Sequence, residues 1–428
     1  MFINIPNSIK SFVSDSSVYV LVNIINKVIP FILLPIIIRL LNSEDFGKYS
    51  LFLTIEGLLI PIITLNLSVA LSKHYFVKEI NLKKYMSTIF FGMLLISLIF
   101  YLIILLIPDS IIAISGMEKY YFSLAIFTAF IGAFIAMILN LFRLQRKPIS
   151  YGVFLIFQSL FLLLVVIIFI NFKPNFDTII NAKVFAMIVF FIASIILLLK
   201  IKLISVDFDM FWFKKAFKFS LPTVFYSMSA IVFISSDRFL IENFLGFAEL
   251  GYYVATYQLA SIISLLGMSV NAVWMPLLFE NLEKNDNKIN ITIVKLSYSL
   301  IAVFIFIGFI FSIIFPFLAK IYLPVDFHPY IWLGYLFIGG FVFEAIYLIV
   351  SPYLYYVEKT IYNFYIGIFI AALNITINYI YIPIYGISAA AYSMFFSWLL
   401  LALLFFYASK KNYKMPWLYF LNKNSQYD

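Results

Sequence analysis

Cysteine is absent from the sequence and histidine nearly so, with His74 and His328 the two present among 428 residues. No disulfide or thiolate metal site can be built, and two histidines so far apart argue against a histidine-held metal. Charge is scarce as well: 11% of residues are Asp, Glu, Lys or Arg, against about 25% in a soluble domain. The usual signatures of chemistry are missing too. There is no Walker loop, no Gly-x-Ser-x-Gly turn, no paired acidic motif of a metal-dependent glycosyltransferase, and no domain that could hold ATP. The chain therefore reads as a non-enzyme without a cofactor. A transporter lacking a nucleotide site has to draw on an ion gradient, a substrate gradient or the membrane potential. Residues Met1 to Ser16 are polar and lack the basic start and short apolar core of a cleavable signal.

What is abundant is apolar: 64% of residues are hydrophobic, and the mean hydropathy is +1.06. Such a chain is largely embedded in lipid. A bilayer core about 30 Å thick needs roughly 20 apolar residues per helix, and helices follow because backbone groups in lipid must bond within the segment. Twelve segments fit: Ser17–Leu41, Gly47–Leu71, Tyr85–Ile107, Tyr120–Phe142, Tyr151–Ile170, Ile179–Leu199, Phe219–Leu240, Leu250–Pro276, Ile291–Phe317, Trp332–Tyr356, Ile361–Tyr381 and Ile387–Tyr407. Their connections alternate in charge. One set carries Lys73, Lys83, Lys84, Arg143, Arg146, Lys147, Lys200, Lys202, Lys214, Lys215, Lys218, Lys284, Lys288 and the basic tail; the other is short, acidic and poor in lysine. The positive-inside rule then places both termini in the cytoplasm and accounts for the net charge of +9 without nucleic acid.

The spans divide into an N-terminal six-helix lobe (1–200), a cytoplasmic interfacial linker rich in aromatics and lysines (201–218), a C-terminal six-helix lobe (219–408) and a cytoplasmic tail (409–428). Six helices per half means the second half enters with the orientation of the first, as a parallel repeat about an axis along the membrane normal. A shift of 204 positions pairs Gly47 with Gly251, Tyr49 with Tyr253 and Lys84 with Lys288. The first hairpin, with its acidic turn followed by Gly-x-Tyr, thus recurs as Asn243 through Tyr253.

Ionisable groups deep in a span are costly, by roughly 2.5–3.5 kcal/mol on insertion scales, and face a bundle interior or a wet cavity. Lys27 lies halfway along the first span with Asn23, one turn before it, and Asn26 beside it, so a polar stripe points inward, where lining a cavity and a structural hydrogen bond to another helix are both open. Arg39 stands near the end of that span, where lining a cavity and snorkelling to the interface are both open. Asp237 and Arg238, adjacent in the seventh span, fit a structural ion pair as well as transport. Glu56 and Glu344 lie mid-span, where a raised pKa would suit a proton carrier and a neutral hydrogen-bonded acid is the plainer alternative. Lys27 and Arg39 are about 18 Å apart along a straight helix and 120° apart around it, so they share a stripe only if Pro30 and Pro35 bend the helix. Pro61, Pro222 and Pro276 mark further places for flexing.

The run Arg39-Leu-Leu-Asn-Ser-Glu-Asp-Phe-Gly-Lys-Tyr49 closely resembles the first-hairpin signature of bacterial polysaccharide flippases, the Wzx-like exporters of O-antigen or capsule repeat units. Ser220-Leu-Pro222, Asp237-Arg238-Phe-Leu-Ile, Leu250-Gly-Tyr-Tyr253 and Ala272-Val-Trp274-Met-Pro276 follow in the order of that family. The resemblance implies an all-α integral membrane protein with a MATE-like, V-shaped bundle of the multidrug/oligosaccharidyl-lipid/polysaccharide (MOP) exporter superfamily. It implies a substrate too, an undecaprenyl-diphosphate-linked oligosaccharide turned across the bacterial inner membrane by alternating access, with membrane lipids, glycosyltransferases and a polysaccharide polymerase as partners. A diphosphate crossing low dielectric calls for fixed cations, which Lys27, Arg39 and Arg238 would supply beside Asn23 and Asn26, while Glu56, Asp237 and Glu344 would serve ion coupling. The arginine-rich cavity pattern of lipid II flippases is not matched, and twelve spans stand in place of fourteen. An ion-coupled multidrug or metabolite antiporter of the same superfamily shares this fold and stays open as an alternative. A membrane polymerase fits less well, because the external turns are short.

Overall fold

Five helices begin where an Asn or Asp side chain turns back to bond the amides of the first turn, and these caps set the ends of the spans. In the computed structural model, Asn42, Asn81, Asn175, Asp209 and Asp286 accept from Asp45, Lys84, Thr178, Phe211 and Lys288, at 2.7–3.2 Å. The structure describes residues 22, 25–26, 29, 31, 33–77, 80–284, 286–359 and 361–417. Lys27 and Asn23 fall outside them. Among these residues no strand occurs.

The helices are α1 (33–40 of the first span), α2 (Ser43–Thr64), α3 (Leu67–His74), α4 (Leu82–Leu106), α5 (Asp109–Ala113), α6 (Lys119–Leu144), α7 (Pro148–Phe172), α8 (Phe176–Lys200), α9 (Met210–Leu245), α10 (Phe247–Ala260), α11 (Ile262–Leu282), α12 (Asn287–Tyr322), α13 (Leu333–Tyr356), α14 (Ile361–Tyr385) and α15 (Ile387–Asn412). Among the described residues, ten are long and apolar enough to cross a membrane, and α9 makes eleven. They coincide with the second to twelfth expected spans, and α1 is the described part of the first.

Three of the expected spans are interrupted or bent, the eighth at Ser261, where α10 ends and α11 begins. The second breaks at Leu65 and Asn66, whose φ of 47° and 50° are left-handed, so α2 ends and α3 restarts. Pro61 has already removed one backbone bond in the last turn of α2, and the left-handed residues are held from outside: the Asn66 amide donates to Thr223 Oγ1 at 3.3 Å and Ser227 Oγ at 3.1 Å on α9. Asparagine tolerates that conformation better than a branched residue would. The seventh span begins early, at Met210, and bends by 44° between Met210–Ser229 and Ile231–Leu245. Helix α9 thus takes in part of the expected interfacial stretch.

The chain forms two compact units, one running to Gly251 and the other from Tyr252. In the first, α2 packs on α4, α6, α8 and α9. Its lysine-poor turns gather at one end, where Asp45, Gly116, Glu118, Asn175, Asp177 and Phe247 line a pocket of about 290 Å³. Its basic turns gather at the other, where the Asp209 carboxylate meets Lys84 at 2.9 Å and the His74 ring packs on Tyr85, Trp212 and Phe219. The alternation of charge read from the sequence is therefore an alternation in space. In the second unit, α13 packs on α11, α12 and α15, and α14 packs on α15. Lipid provides little hydrophobic drive between helices, so close backbones and buried polar bonds hold such a bundle. Gly267 lies against Ala345 and Gly308 against Val342. The buried Asn374 amide donates to Ser393 and Ser397 at 3.0 Å each, and Asn378 donates to Asn374.

Candidate functional site

One face of α2 carries Ser43, Gly47, Ser50 and Thr54 at helical spacing, small side chains that let a neighbour approach. Thr54 and Glu56 lie eleven and thirteen residues into this helix, roughly 16–20 Å along its axis, which is near mid-depth of a bilayer core. They point about 200° apart around the helix, and each meets a cation.

On the first side, Arg238 of α9 donates from Nη1 to Thr54 Oγ1 at 2.9 Å, while Thr54 donates to the Ser50 carbonyl at 2.9 Å. The neighbouring Asp237 is buried, and its carboxylate accepts from the Arg238 backbone amide at 2.9 Å. On the other side, the Glu56 carboxylate is ion-paired with Lys183 of α8, and the ammonium sits 5.5 Å from the centre of the Phe52 ring. Both residues are 7% exposed, so the charges compensate each other where water does not. Helix α2 thus has one cation bound to a neutral hydroxyl and another bound to a carboxylate. The second is compensated by that carboxylate.

The remaining expected site residues lie elsewhere. Asn26 accepts a hydrogen bond from Ser159 of α7, half-buried between helices. Arg39 is exposed at the end of α1. Glu344 is buried in α13 of the second unit. No group of three or more metal-ligating side chains occurs among the described residues.

Lys183 and Thr54 were not singled out in the sequence. The lysine is the fifth residue of an expected span, and an ionisable group inside an apolar run is the signal that picks it out. Thr54 carries no charge and so no such signal; only packing reveals its partner.

The sequence of residues 12–282 matches the family model described as "Polysaccharide biosynthesis protein". A protein of Haemophilus influenzae described as an uncharacterized membrane protein is 24% identical over 292 residues, covering 65% of this chain and 68% of its own. Among solved structures, the lipid II flippase MurJ in an inward closed conformation aligns with a TM-score of 0.73 at 16% identity, covering 92% of this chain and 87% of that one. An inward-facing multidrug resistance MATE family transporter of the MOP superfamily aligns with a TM-score of 0.72 at 13% identity, covering 94% and 96%. The likeness to both is one of fold. Matched over more than half its length, this multi-pass membrane chain belongs to the polysaccharide biosynthesis protein family and has the helical bundle of the MOP exporters.

Proposed function

We propose that the protein turns a lipid-linked oligosaccharide, carried on an undecaprenyl diphosphate, from the cytoplasmic to the outer leaflet of a bacterial inner membrane. Both termini lie in the cytoplasm, the two repeats form the N- and C-terminal lobes, and the chain moves its substrate without making or breaking a covalent bond. The observation that carries this reading is the mid-depth guanidinium of Arg238, bound to an uncharged threonine. A guanidinium held at that depth presents planar donors that suit a diphosphate, whose two negative charges would otherwise face low dielectric alone. Lys27 and Arg39 join it as cations for the diphosphate, with Asn23 and Asn26 as polar neighbours. Family membership over residues 12–282 supports the polysaccharide side of the reading.

The carboxylates divide by surroundings. Glu56 is compensated by Lys183, so its part in ion coupling requires that pair to open. Asp237, next to Arg238, and Glu344 are the other coupling groups.

Reconstitution in proteoliposomes tests the function. A fluorescent undecaprenyl-diphosphate oligosaccharide placed in one leaflet should become accessible to a glycosidase on the other side. Arg238→Ala should abolish that movement and Arg238→Lys should retain part of it. Movement no faster than in protein-free vesicles, together with ion-driven efflux of an organic cation, would replace this reading with the antiporter.

A further inference from the structure

The stretch that leads into α9 is strapped to the first unit. The Ser205 amide donates to Ser87 Oγ at 2.8 Å and the Asp209 amide to Thr88 Oγ1 at 3.0 Å, both on α4, and Lys84, one turn earlier on that helix, holds the Asp209 carboxylate. The Phe213 ring fills the notch at Gly92, where a Cβ would stand 2.7 Å from it, and Ala216 is buried. Helical spacing turns Phe211, Lys214, Lys215 and Lys218 the other way, and all four are exposed. Lys215 Nζ stands 4.4 Å from the centre of the Phe211 ring and 4.7 Å from that of Trp212, and Lys73 Nζ, on α3, stands 4.4 Å from that of Phe219. The Trp212 and Phe219 rings both pack edge-on against His74, at 5.9 Å and 6.2 Å between centres. One aromatic cluster therefore carries an ammonium on each flank. A ring face orders a lysine without cancelling its charge, and neither lysine takes part in an ion pair among the described residues.

We propose that Lys73 and Lys215 hold the phosphate of an anionic phospholipid, taken from the leaflet at the lysine-rich end, and that this headgroup ties α3 to α9. Two ammoniums on ordered stems match its negative charge, and two observations name a lipid as the source. Met210 and Phe211 on α9 are 56% and 59% exposed, and Phe76, just past α3, is 71% exposed, so apolar side chains flank the cations where acyl chains would lie. The site also stands where two spans end, since α3 closes the second and the first turns of α9 precede the seventh, which is headgroup depth. Its face is the outer one of the strap, turned to bulk lipid, and occupancy follows abundance. The same two helices are already joined at the other end of α3, where Asn66 donates to Thr223 and Ser227, so a bound headgroup adds a second tie. The proposal needs a membrane and no transported substrate, so it stands apart from the transport reading.

Trp212 is the reporter, because bromine on an acyl chain quenches an indole it touches. The full chain in detergent micelles is titrated with brominated phosphatidylglycerol or brominated phosphatidylcholine, and the Trp212 signal is taken by difference from Trp212→Phe, which keeps a ring beside Lys215. Phosphatidylglycerol should quench it at a mole fraction about tenfold lower than phosphatidylcholine does. The double variant Lys73→Gln, Lys215→Gln should bring the two lipids together, whereas Lys410→Gln, Lys411→Gln, which removes the same charge from exposed positions at the end of α15, should leave the preference intact. Lys73→Arg, Lys215→Arg should keep it as well, which guards against a glutamine pair that merely misfolds. Phosphatidylglycerol should also raise the melting temperature of the parent and not that of the glutamine pair, as a tie between helices requires. No preference in the parent, or one that survives the glutamine pair or disappears equally in the α15 control, overturns the site. Relief of quenching by millimolar inorganic phosphate would assign it to a soluble anion, and full displacement by equimolar undecaprenyl diphosphate to the carrier lipid; either overturns the phospholipid.

Discussion

Lys183→Met takes one charge from the pair on α2 and α8 and leaves the Glu56 carboxylate facing helices instead of water. Both partners are 7% exposed, so solvent screening gives little relief. Removing one member of a buried pair costs about 3–5 kcal/mol, much of it the stranded charge. A neutral hydrogen bond between transmembrane helices averages only about 0.6 kcal/mol, so an effect of the larger size identifies the interaction as ionic. Glu56→Gln strands the ammonium in turn, and the Phe52 ring offsets part of that, leaving the smaller loss for the carboxylate variant. The double variant Glu56→Leu, Lys183→Met buries no charge, and similar replacements are neutral or stabilising by about 1–4 kcal/mol. The assay is a double-mutant cycle from reversible unfolding of the micelle-held protein in mixed detergent, followed by tryptophan fluorescence. The expected coupling is about 3 kcal/mol or more. Additivity within about 0.5 kcal/mol would mean the two charges do not sense each other, and the compensation argued for Glu56 would be refuted.

Lys27→Ala should abolish surface-polysaccharide export with the protein still in the membrane, and Lys27→Arg should retain part of it; wild-type export from the alanine variant removes that residue from the mechanism. Asn66→Ala loses two hydrogen bonds to α9 and keeps a Cβ at φ 50°, so it should destabilise by about 2 kcal/mol, whereas Asn66→Gly should lose only the bonds. Equal losses would show that the backbone carries no strain there. Burial holds the His74 imidazole below the usual histidine range, with Lys73 and Lys215 acting in the same direction. The unfolded state therefore binds the proton first, and stability present at neutral pH falls as pH drops through about 6.5. His74→Gln should flatten that dependence between about pH 7 and pH 5, read as the melting temperature in detergent.

The spans were legible because lipid imposes one rule on every residue of a helix, and a run of 20 apolar side chains states it plainly. The recurrence of Gly-x-Tyr at residues 47–49 and 251–253 was legible too, but not that Gly47 faces the Phe247 carbonyl, since a carbonyl facing a glycine leaves no mark on the sequence. The break at Leu65 and Asn66 was hidden in an apolar run that continues through to Leu71, as its support comes from Thr223 and Ser227, more than 150 residues away. Mid-span charges could be seen, but not who neutralises them. Glu56 is a possible carrier when viewed alone and half of a neutral pair beside Lys183, and the difference lies in how α2 meets α8.

The break below Thr64 also has a mechanical side. Helix α2, 22 residues long, and α3, 8 residues long, extend about 33 Å and 12 Å from it. They are the unequal arms of a lever whose fulcrum is the Asn66 amide. A turn of roughly 10° at that fulcrum moves the His74 tip by about 2 Å and the Ser43 tip by about 6 Å, by the helical rise alone. If the two arms turn together, a slight adjustment among the aromatic rings around His74 is magnified nearly threefold at the far tip.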